Sequence, residues 1–290
     1  MNKKEILFVL YDLGLSLSSL SKLYRNTTEE QLTELLKGNF LELQFLQDIF
    51  TDKDINLLAS QNLIEKSKIT ISETLDKLSK ENIEYYIYYE SLYPKALKNI
   101  PSPPFFIFMK GNKNLLENKF ICSIVGTRNP ALNTLKQIES VVNDLVTINI
   151  VIASGLAYGT DIQAHISTLN ANGETIAVLP SPITNVTPKH HKKYASQIIE
   201  NGGLLISEYY KIENVFKKTN YINRNRIISG LSNVVIITEC SEKSGTMHTA
   251  RFAFKQKRPI FCFDNNSTGI NKILSSNSAR IYTKPNDLFN

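Results

Sequence analysis

Phe120-Ile121-Cys122-Ser123-Ile124-Val125 is a short, nearly continuous apolar run that ends on Gly126-Thr127-Arg128-Asn129-Pro130. Apolar residues on both strand faces are expected of a strand buried from both sides, as in a parallel sheet covered by helices. The same unit then repeats. A helical stretch, Leu135–Leu145, leads to strand Ile148–Ala153, helix Asp161–Leu169 and strand Thr175–Leu179. Helix Tyr194–Glu200, strand Leu204–Ser207 and a helical Arg224–Ser229 follow, then strand Val234–Thr238, helix Met247–Lys255 and a last strand, Ile260–Phe263, introduced by Pro259. Upstream, Ile83–Tyr89 and Phe105–Lys110 read as strands separated by Pro94, Pro101, Pro103 and Pro104. Strand–helix–strand units in series predict an α/β domain with a doubly wound, mostly parallel sheet.

Before residue 80 the pattern is different. Ile6, Leu7, Leu10 and Leu13, then Leu32, Leu35 and Leu36, then Leu41, Phe45, Ile49 and Phe50 recur at helical spacing. Thr27-Thr28-Glu29-Glu30 has the composition of a helix start. Residues 1–80 are therefore expected to form a bundle of four or five short helices, and residues 81–290 the α/β domain.

Composition bounds the function. The chain has 290 residues with 42% hydrophobic content, enough for packed cores. No apolar run approaches the ~18–20 residues needed to span a bilayer. Met1-Asn2-Lys3-Lys4 is not followed by a signal-peptide cleavage pattern, which predicts a soluble, cytoplasmic protein with no membrane partner. Cys122, Cys240 and Cys262 are too few and too dispersed for a disulfide framework or zinc cluster and read as buried core residues. The net charge of +6 permits a polyanionic partner without requiring one.

In a doubly wound sheet, ligands bind where loops leave the carboxyl ends of strands and meet helix N-termini. Three loops have suitable chemistry. Gly126-Thr127-Arg128 joins a tight turn, a hydroxyl and a planar guanidinium fork. Ser154-Gly155-Leu156-Ala157-Tyr158-Gly159-Thr160-Asp161 opens a helix with Gly155, Gly159 and the hydroxyls of Ser154 and Thr160. Ser244-Gly245-Thr246 precedes the helix from Met247. Each loop alone has the composition of an ordinary turn and cap; three together favour a phosphate pocket. None carries the dinucleotide fingerprint or the lysine-containing Walker loop, so no cofactor is implied.

A fourth segment, residues 217–226, places Lys217, Lys218, Arg224 and Arg226 around Tyr221, with Asn225 between the arginines. Cations beside a ring can grip a single strand by its phosphates and stack a base. The same residues also make a solvated loop in which Tyr221 covers a helix end. Composition admits both.

In these residues the chain resembles the bacterial DNA-processing protein A (Smf) family. The likeness runs from about Tyr93 to Ser278, through Tyr93-Pro94-Lys95-Ala96-Leu97, Pro103-Pro104, Lys110-Gly111-Asn112 and Ile124-Val125-Gly126-Thr127-Arg128. It continues in Ser154–Asp161 with Ala164-His165, Ile176–Leu179, Glu200–Glu208, Asn223–Leu231, Ser244–Thr246 and Thr249-Ala250-Arg251. The resemblance implies an extended Rossmann fold preceded by a small helical domain of sterile-alpha-motif type, here without a C-terminal winged helix. It implies a single-stranded DNA-binding protein, not an enzyme, that protects single strands and loads the RecA recombinase, as in natural transformation, and that forms a homodimer through the C-terminal part of its Rossmann domain. Carried over by motif, Arg128, Lys218 and Tyr221 are the expected DNA contacts. Two departures stand out. Tyr221-Ile222 replaces the usual Phe-Pro, and Pro180-Ser181-Pro182 with Thr187-Pro188 replaces a glycine-containing loop ending in Tyr-Pro. Lys189-His190-His191-Lys192-Lys193 beyond it reads as a solvated helix start.

The rival class is a Rossmann-type enzyme resembling nucleotide-monophosphate phosphoribohydrolases, suggested by Glu239 and Ser244-Gly245-Thr246. Against it, Cys240–Lys243 precede Ser244 without a glycine, and Glu239 reads as a local cap. His165 and His248 are expected in structural or hydrogen-bonding roles, and no catalytic or metal site is assigned.

Overall fold

A computed structural model describes residues 1–117, 119–211 and 218–289, the Lys218 side chain excepted. The described residues form two compact units that divide after Glu81. Among them, no helix is long and apolar enough to cross a membrane.

The first unit has six helices where four or five are expected: α1 (Lys3–Leu13), α2 (Leu17–Asn26), α3 (Glu29–Leu35), α4 (Leu41–Gln47), α5 (Asp52–Leu58) and α6 (Gln61–Lys80). The 20-residue α6 is the correction. Its buried stripe is Ile64, Ser67, Ile71, Thr74 and Leu78. The spacing is helical, but the two polar members hide it from an apolar count. Asn2, Ser16, Thr28 and Thr51 cap helices through their side chains. Asp54 ties the unit together, accepting hydrogen bonds from the Ser16 N–H at 2.8 Å, the Ser19 hydroxyl at 2.7 Å and the Thr51 hydroxyl at 2.8 Å.

The second unit is a nine-stranded sheet. Its elements run β1 (Glu84–Ile87), α7 (Lys95–Lys98), β2 (Phe106–Gly111), β3 (Ile121–Val125), α8 (Leu132–Thr147), β4 (Val151–Ser154), α9 (Thr160–Asn170) and β5 (Thr175–Leu179). They continue α10 (Lys192–Glu200), β6 (Leu204–Ser207), α11 (Lys218–Leu231), β7 (Val234–Ile237), α12 (Thr246–Lys255), β8 (Ile260–Cys262), α13 (Thr268–Ser275) and β9 (Arg280–Ile281). The short α7, the last helix and the last strand are additions to the expected list. Strand order is β1-β2-β6-β5-β4-β3-β7-β8-β9. Pairing is parallel from β6 through β9 and antiparallel only at β1–β2 and β2–β6. The α/β, doubly wound, mostly parallel class is as expected.

Every residue of β3, β4, β5, β6 and β7 is buried, which accounts for their largely apolar sequences. Ile138, Val141, Val142 and Leu145 of α8 pack with Ala164 of α9 in one core. On the other face Leu97, Ile227, Ile228, Leu231, Ala250 and Ala253 pack from α7, α11 and α12. Each fully buried aliphatic side chain contributes about 1.5–3 kcal/mol. Cys122, Cys240 and Cys262 are buried free thiols, as expected.

The motifs around Tyr93 and Pro104 serve to seat α11. The Tyr93 hydroxyl donates to the Pro104 carbonyl at 2.7 Å, and Leu97 and Ile100 lie where a side chain at Gly230 would intrude. Close packing against Gly230 fixes the height of α11 over the sheet, and with it Tyr221 and Arg224 on its first turns.

Candidate functional site

The chain winds from β3 through β4 and β5 to β6, then crosses back to β7 on the opposite side of β3. The loops leaving β3 and β7 therefore diverge, opening a crevice at the switch point. This crevice encloses about 410 Å³. It is lined by Gly126, Thr127 and Arg128 after β3, Ala157 and Asp161 before and within α9, Tyr221, Ile222, Arg224 and Asn225 of α11, and Ser244, Gly245, Thr246 and Thr249 at α12. Residues from all four segments singled out in the sequence thus meet at one place.

The mouth is formed by Arg128 and Tyr221. Arg128 is exposed and its guanidinium carbon lies 4.7 Å from the centroid of the half-buried Tyr221 ring. A cation over an aromatic face gains about 0.5–2 kcal/mol, which orders both groups before any ligand arrives. The N-terminus of α12 faces the same space. Gly245 there is exposed with nothing within 4 Å of where a Cβ would stand, leaving room for an anion to approach the helix start. The Ser244 hydroxyl is buried beside the Cys240 thiol, and Thr246 donates to the Gly126 carbonyl at 2.9 Å.

Several residues expected to touch a ligand are instead occupied within the protein. Ser154 is fully buried and donates to the Ile124 carbonyl at 2.7 Å. Thr160, also buried, shares a hydrogen bond of 3.1 Å with Thr238. These two hydroxyls stand 2.3 and 2.5 Å from a Cβ position at Gly126, so glycine is needed there for close packing. Gly159, at φ 75°, brings its backbone against the carbonyls of Thr127 and Arg128. Its glycine is a shape requirement of the Arg128 loop.

Arg224 lines the crevice with its charge turned inward. It is 2% exposed, with Nη1 3.8 Å from an Asp161 carboxylate oxygen and donating to the Val178 carbonyl at 3.1 Å. A Cβ on Gly155 would lie 1.2 Å from the same nitrogen, so Gly155 makes room for this side chain. Burial pushes the Asp161 carboxyl up, opposed by the Arg224 charge and by the backbone N–H groups of Ala157 and Gly155. The helix-start amides of that loop therefore serve Asp161. Arg226 is likewise spent, making a two-pronged pair with Glu208 at 2.7 and 2.6 Å and donating to the Ser102 carbonyl. Asn225 remains on the crevice wall. The Lys218 side chain and Lys217 lie outside the described residues.

The rival's acid is also engaged. Glu239 accepts from the Ala131 N–H at 3.0 Å and the Thr134 hydroxyl at 2.8 Å, capping the first turn of α8. His165 is fully buried and bonded to Thr175 at 2.7 Å. Burial, followed by the Arg224 charge, brings its pKa down to about 3, which keeps it neutral. The Asp161–Arg224 and Glu208–Arg226 pairs leave no mark in the sequence, since their members are far apart in the chain. Ile222 and Thr249 join the crevice wall without having been expected there. The only advance signal was that Arg224 and Arg226 share a segment with apolar Ile227 and Ile228, so some of its cations had to turn inward.

Comparison with known proteins agrees with this fold. The family model for DNA recombination-mediator protein A matches residues 84–290. The chain is 31% identical over 243 residues to the DNA processing protein DprA of Bacillus subtilis, covering 82% of this chain and 81% of that one. A solved structure of DprA from Streptococcus pneumoniae superposes with a TM-score of 0.74 at 27% identity, covering 100% of this chain and 98% of that one. Another, of DNA processing protein A from Helicobacter pylori and concerned with its single-stranded DNA binding mode, superposes with a TM-score of 0.63 at 31% identity, covering 71% of this chain and 94% of that one. With its sheet order, its switch-point crevice and a family match across the whole α/β unit, this chain belongs to the DNA recombination-mediator protein A family.

Proposed function

We propose that this chain binds single-stranded DNA at the switch-point crevice and hands it to the RecA recombinase, acting as a binding protein and not as an enzyme. The observation that carries the reading is the Arg128 guanidinium stacked on Tyr221 at the crevice mouth. A fork for phosphate and a ring for a base stand together, as a single strand needs and a duplex with stacked, paired bases cannot use. The contact set is Arg128, Tyr221, Asn225, Ser244, Gly245 and Lys218, with Gly126, Thr127, Thr246, Ser154, Gly155, Gly159, Thr160, Arg224 and Arg226 holding its shape. Non-enzymatic action is supported by the engagement of Asp161 with Arg224 and of Glu239 at α8. The RecA role rests on membership of a family described as recombination mediators.

Self-association through the C-terminal face belongs to the same reading. In that part of the chain Ile260 and Phe261 are core, whereas Phe254 is 63% exposed. The experiment that tests the function is binding of labelled single and double strands across salt concentrations, with RecA filament assembly followed in parallel. Single-strand preference with strong salt dependence is expected. Equal affinity for a blunt duplex, or turnover of a nucleotide monophosphate, would overturn it.

A further inference from the structure

Beside the crevice stands a second exposed ring. Tyr158, in the loop between β4 and α9, is 46% exposed and yet held in place. Its hydroxyl lies 3.2 Å from Nδ1 of His190, and its ring meets His191 edge to face with centroids 4.7 Å apart. His191 is itself buried, bonded through Nδ1 to the Leu156 carbonyl at 2.7 Å, and packs edge to face on Tyr194. The solvated helix start expected at 189–193 is thus only partly that. Its one buried member anchors the segment against the loop that carries Tyr158.

The segment that meets Tyr158 is basic. Lys189, His190, Lys192 and Lys193 are exposed, and from Thr175 to Ile199 the sequence contains no carboxylate. Among the described residues none of the three lysines is paired with an acid; Lys193 lies 4.8 Å over the Tyr194 ring. The patch is continuous with the crevice. Gly159, next to Tyr158, is packed on the backbone of Arg128, and the Thr160 N–H donates to the Thr127 carbonyl at 3.1 Å. The loop that carries Tyr158 is therefore packed directly against the loop that carries Arg128.

From this arrangement we infer that Tyr158, with Lys189, His190, Lys192 and Lys193, is a second subsite on the single-strand track, stacking one further base and gripping the phosphates beyond it. The inference rests on the reading that the crevice binds single-stranded DNA. An ordered, half-exposed ring is suited to stacking because its conformational freedom is already lost in the free protein. The lysines suit phosphates, being compact charges on flexible stems that follow a mobile backbone.

The experiment measures affinity of the full chain for oligo-dT from about 4 to about 16 nucleotides, a range spanning one to several contact positions. Tyr158→Ala is expected to weaken binding of the longer oligonucleotides by about 5–100-fold while leaving the shortest bound length unchanged. Tyr158→Phe should bind nearly as the parent does. Lys192→Ala and Lys193→Ala combined should flatten the salt slope by about two charges on long oligonucleotides only, and this variant reads the subsite even if Tyr158→Ala unfolds. Parent-like binding at every length by both the alanine variant and the double lysine variant would remove the subsite and leave the crevice standing. Equal loss at every length would make Tyr158 a support of the crevice loop, which also overturns the inference. A parent that binds no single strand would sink the crevice reading itself.

Discussion

The carboxylate of Asp161 and the guanidinium of Arg224 approach to 3.8 Å beneath the crevice, both almost wholly buried. The pair crosses from α9 to α11 and so links helices from opposite faces of the sheet at the point where the strand order reverses. Gly155 is the third partner, since the absence of a side chain there gives Arg224 its place. The first arginine of the Arg-Asn-Arg segment therefore has internal partners in Asp161 and the Val178 carbonyl. Its charge is balanced by Asp161, and Arg128 is left to present positive charge at the mouth.

Breaking that pair should cost stability first and binding second. Arg224→Met strands the Asp161 charge in the interior and is expected to destabilise the fold by about 3–5 kcal/mol, with the joint Arg224→Met and Asp161→Leu change costing less. Gly155→Ala should lose about 1–3 kcal/mol by overpacking. Denaturant melts of the variants check this. A double variant no more stable than Arg224→Met alone would contradict the pairing.

Arg128→Ala removes an exposed fork and should cost the fold no more than its contact with the Tyr221 ring, about 0.5–2 kcal/mol. Single-strand binding should fall by about 1.5–3 kcal/mol and the salt slope by about one charge, read from titrations at several salt concentrations. Lys218→Ala should act in the same direction and more weakly, because an ammonium cannot bind a phosphate bidentately.

Tyr221→Ala differs in kind. It should cost about 1–3 kcal/mol of binding through lost stacking while leaving the salt slope nearly unchanged. Tyr221→Phe should bind almost as the parent does, and an equal loss in both variants would mean that the hydroxyl, not the ring, matters.

The helical unit carries its own acid sensitivity. Burial alone would raise the Asp54 pKa, but hydrogen bonds from Ser16, Ser19 and Thr51 outweigh it and bring the value to about 2. A carboxylate with a depressed folded pKa contributes stability above its unfolded pKa, and that contribution is lost as pH falls through the folded value. Asp54→Asn should therefore be less stable than the parent at neutral pH, with the gap closing between about pH 4 and about pH 2. Thermal melts of both proteins across that range provide the measurement.

Self-association is read by sedimentation. A dimer is expected at tens of micromolar, roughly the range a standard-size interface sustains, and Phe254→Glu should shift it toward monomer. A parent that sediments as a monomer would count against it.

Local order was largely legible in the chain. Strands Thr175–Leu179 and Leu204–Ser207 lie where they were expected, because a strand buried on both faces is mostly apolar and keeps a hydroxyl only where it finds an internal acceptor, as Thr175 does at the Ile152 carbonyl and Ser207 at the Ser181 carbonyl. The crevice loops were legible for a related reason: glycine, serine and threonine cluster where a buried strand must turn into a helix. The partner of each polar group was not legible. Ser154, Thr160, Arg224 and Arg226 have the composition of a phosphate site, yet their hydrogen bonds go to Ile124, Thr238, Val178 and Glu208. A hydrogen bond reaches about 3 Å, and what lies within that distance is set by the strand order, not by neighbours in the chain. The sequence by itself determined the alternation of strands and helices and the inventory of cations, hydroxyls and rings at the loops. The tertiary structure alone decided which of them face the crevice, because burial withdraws a charge from any ligand once it has found an internal partner.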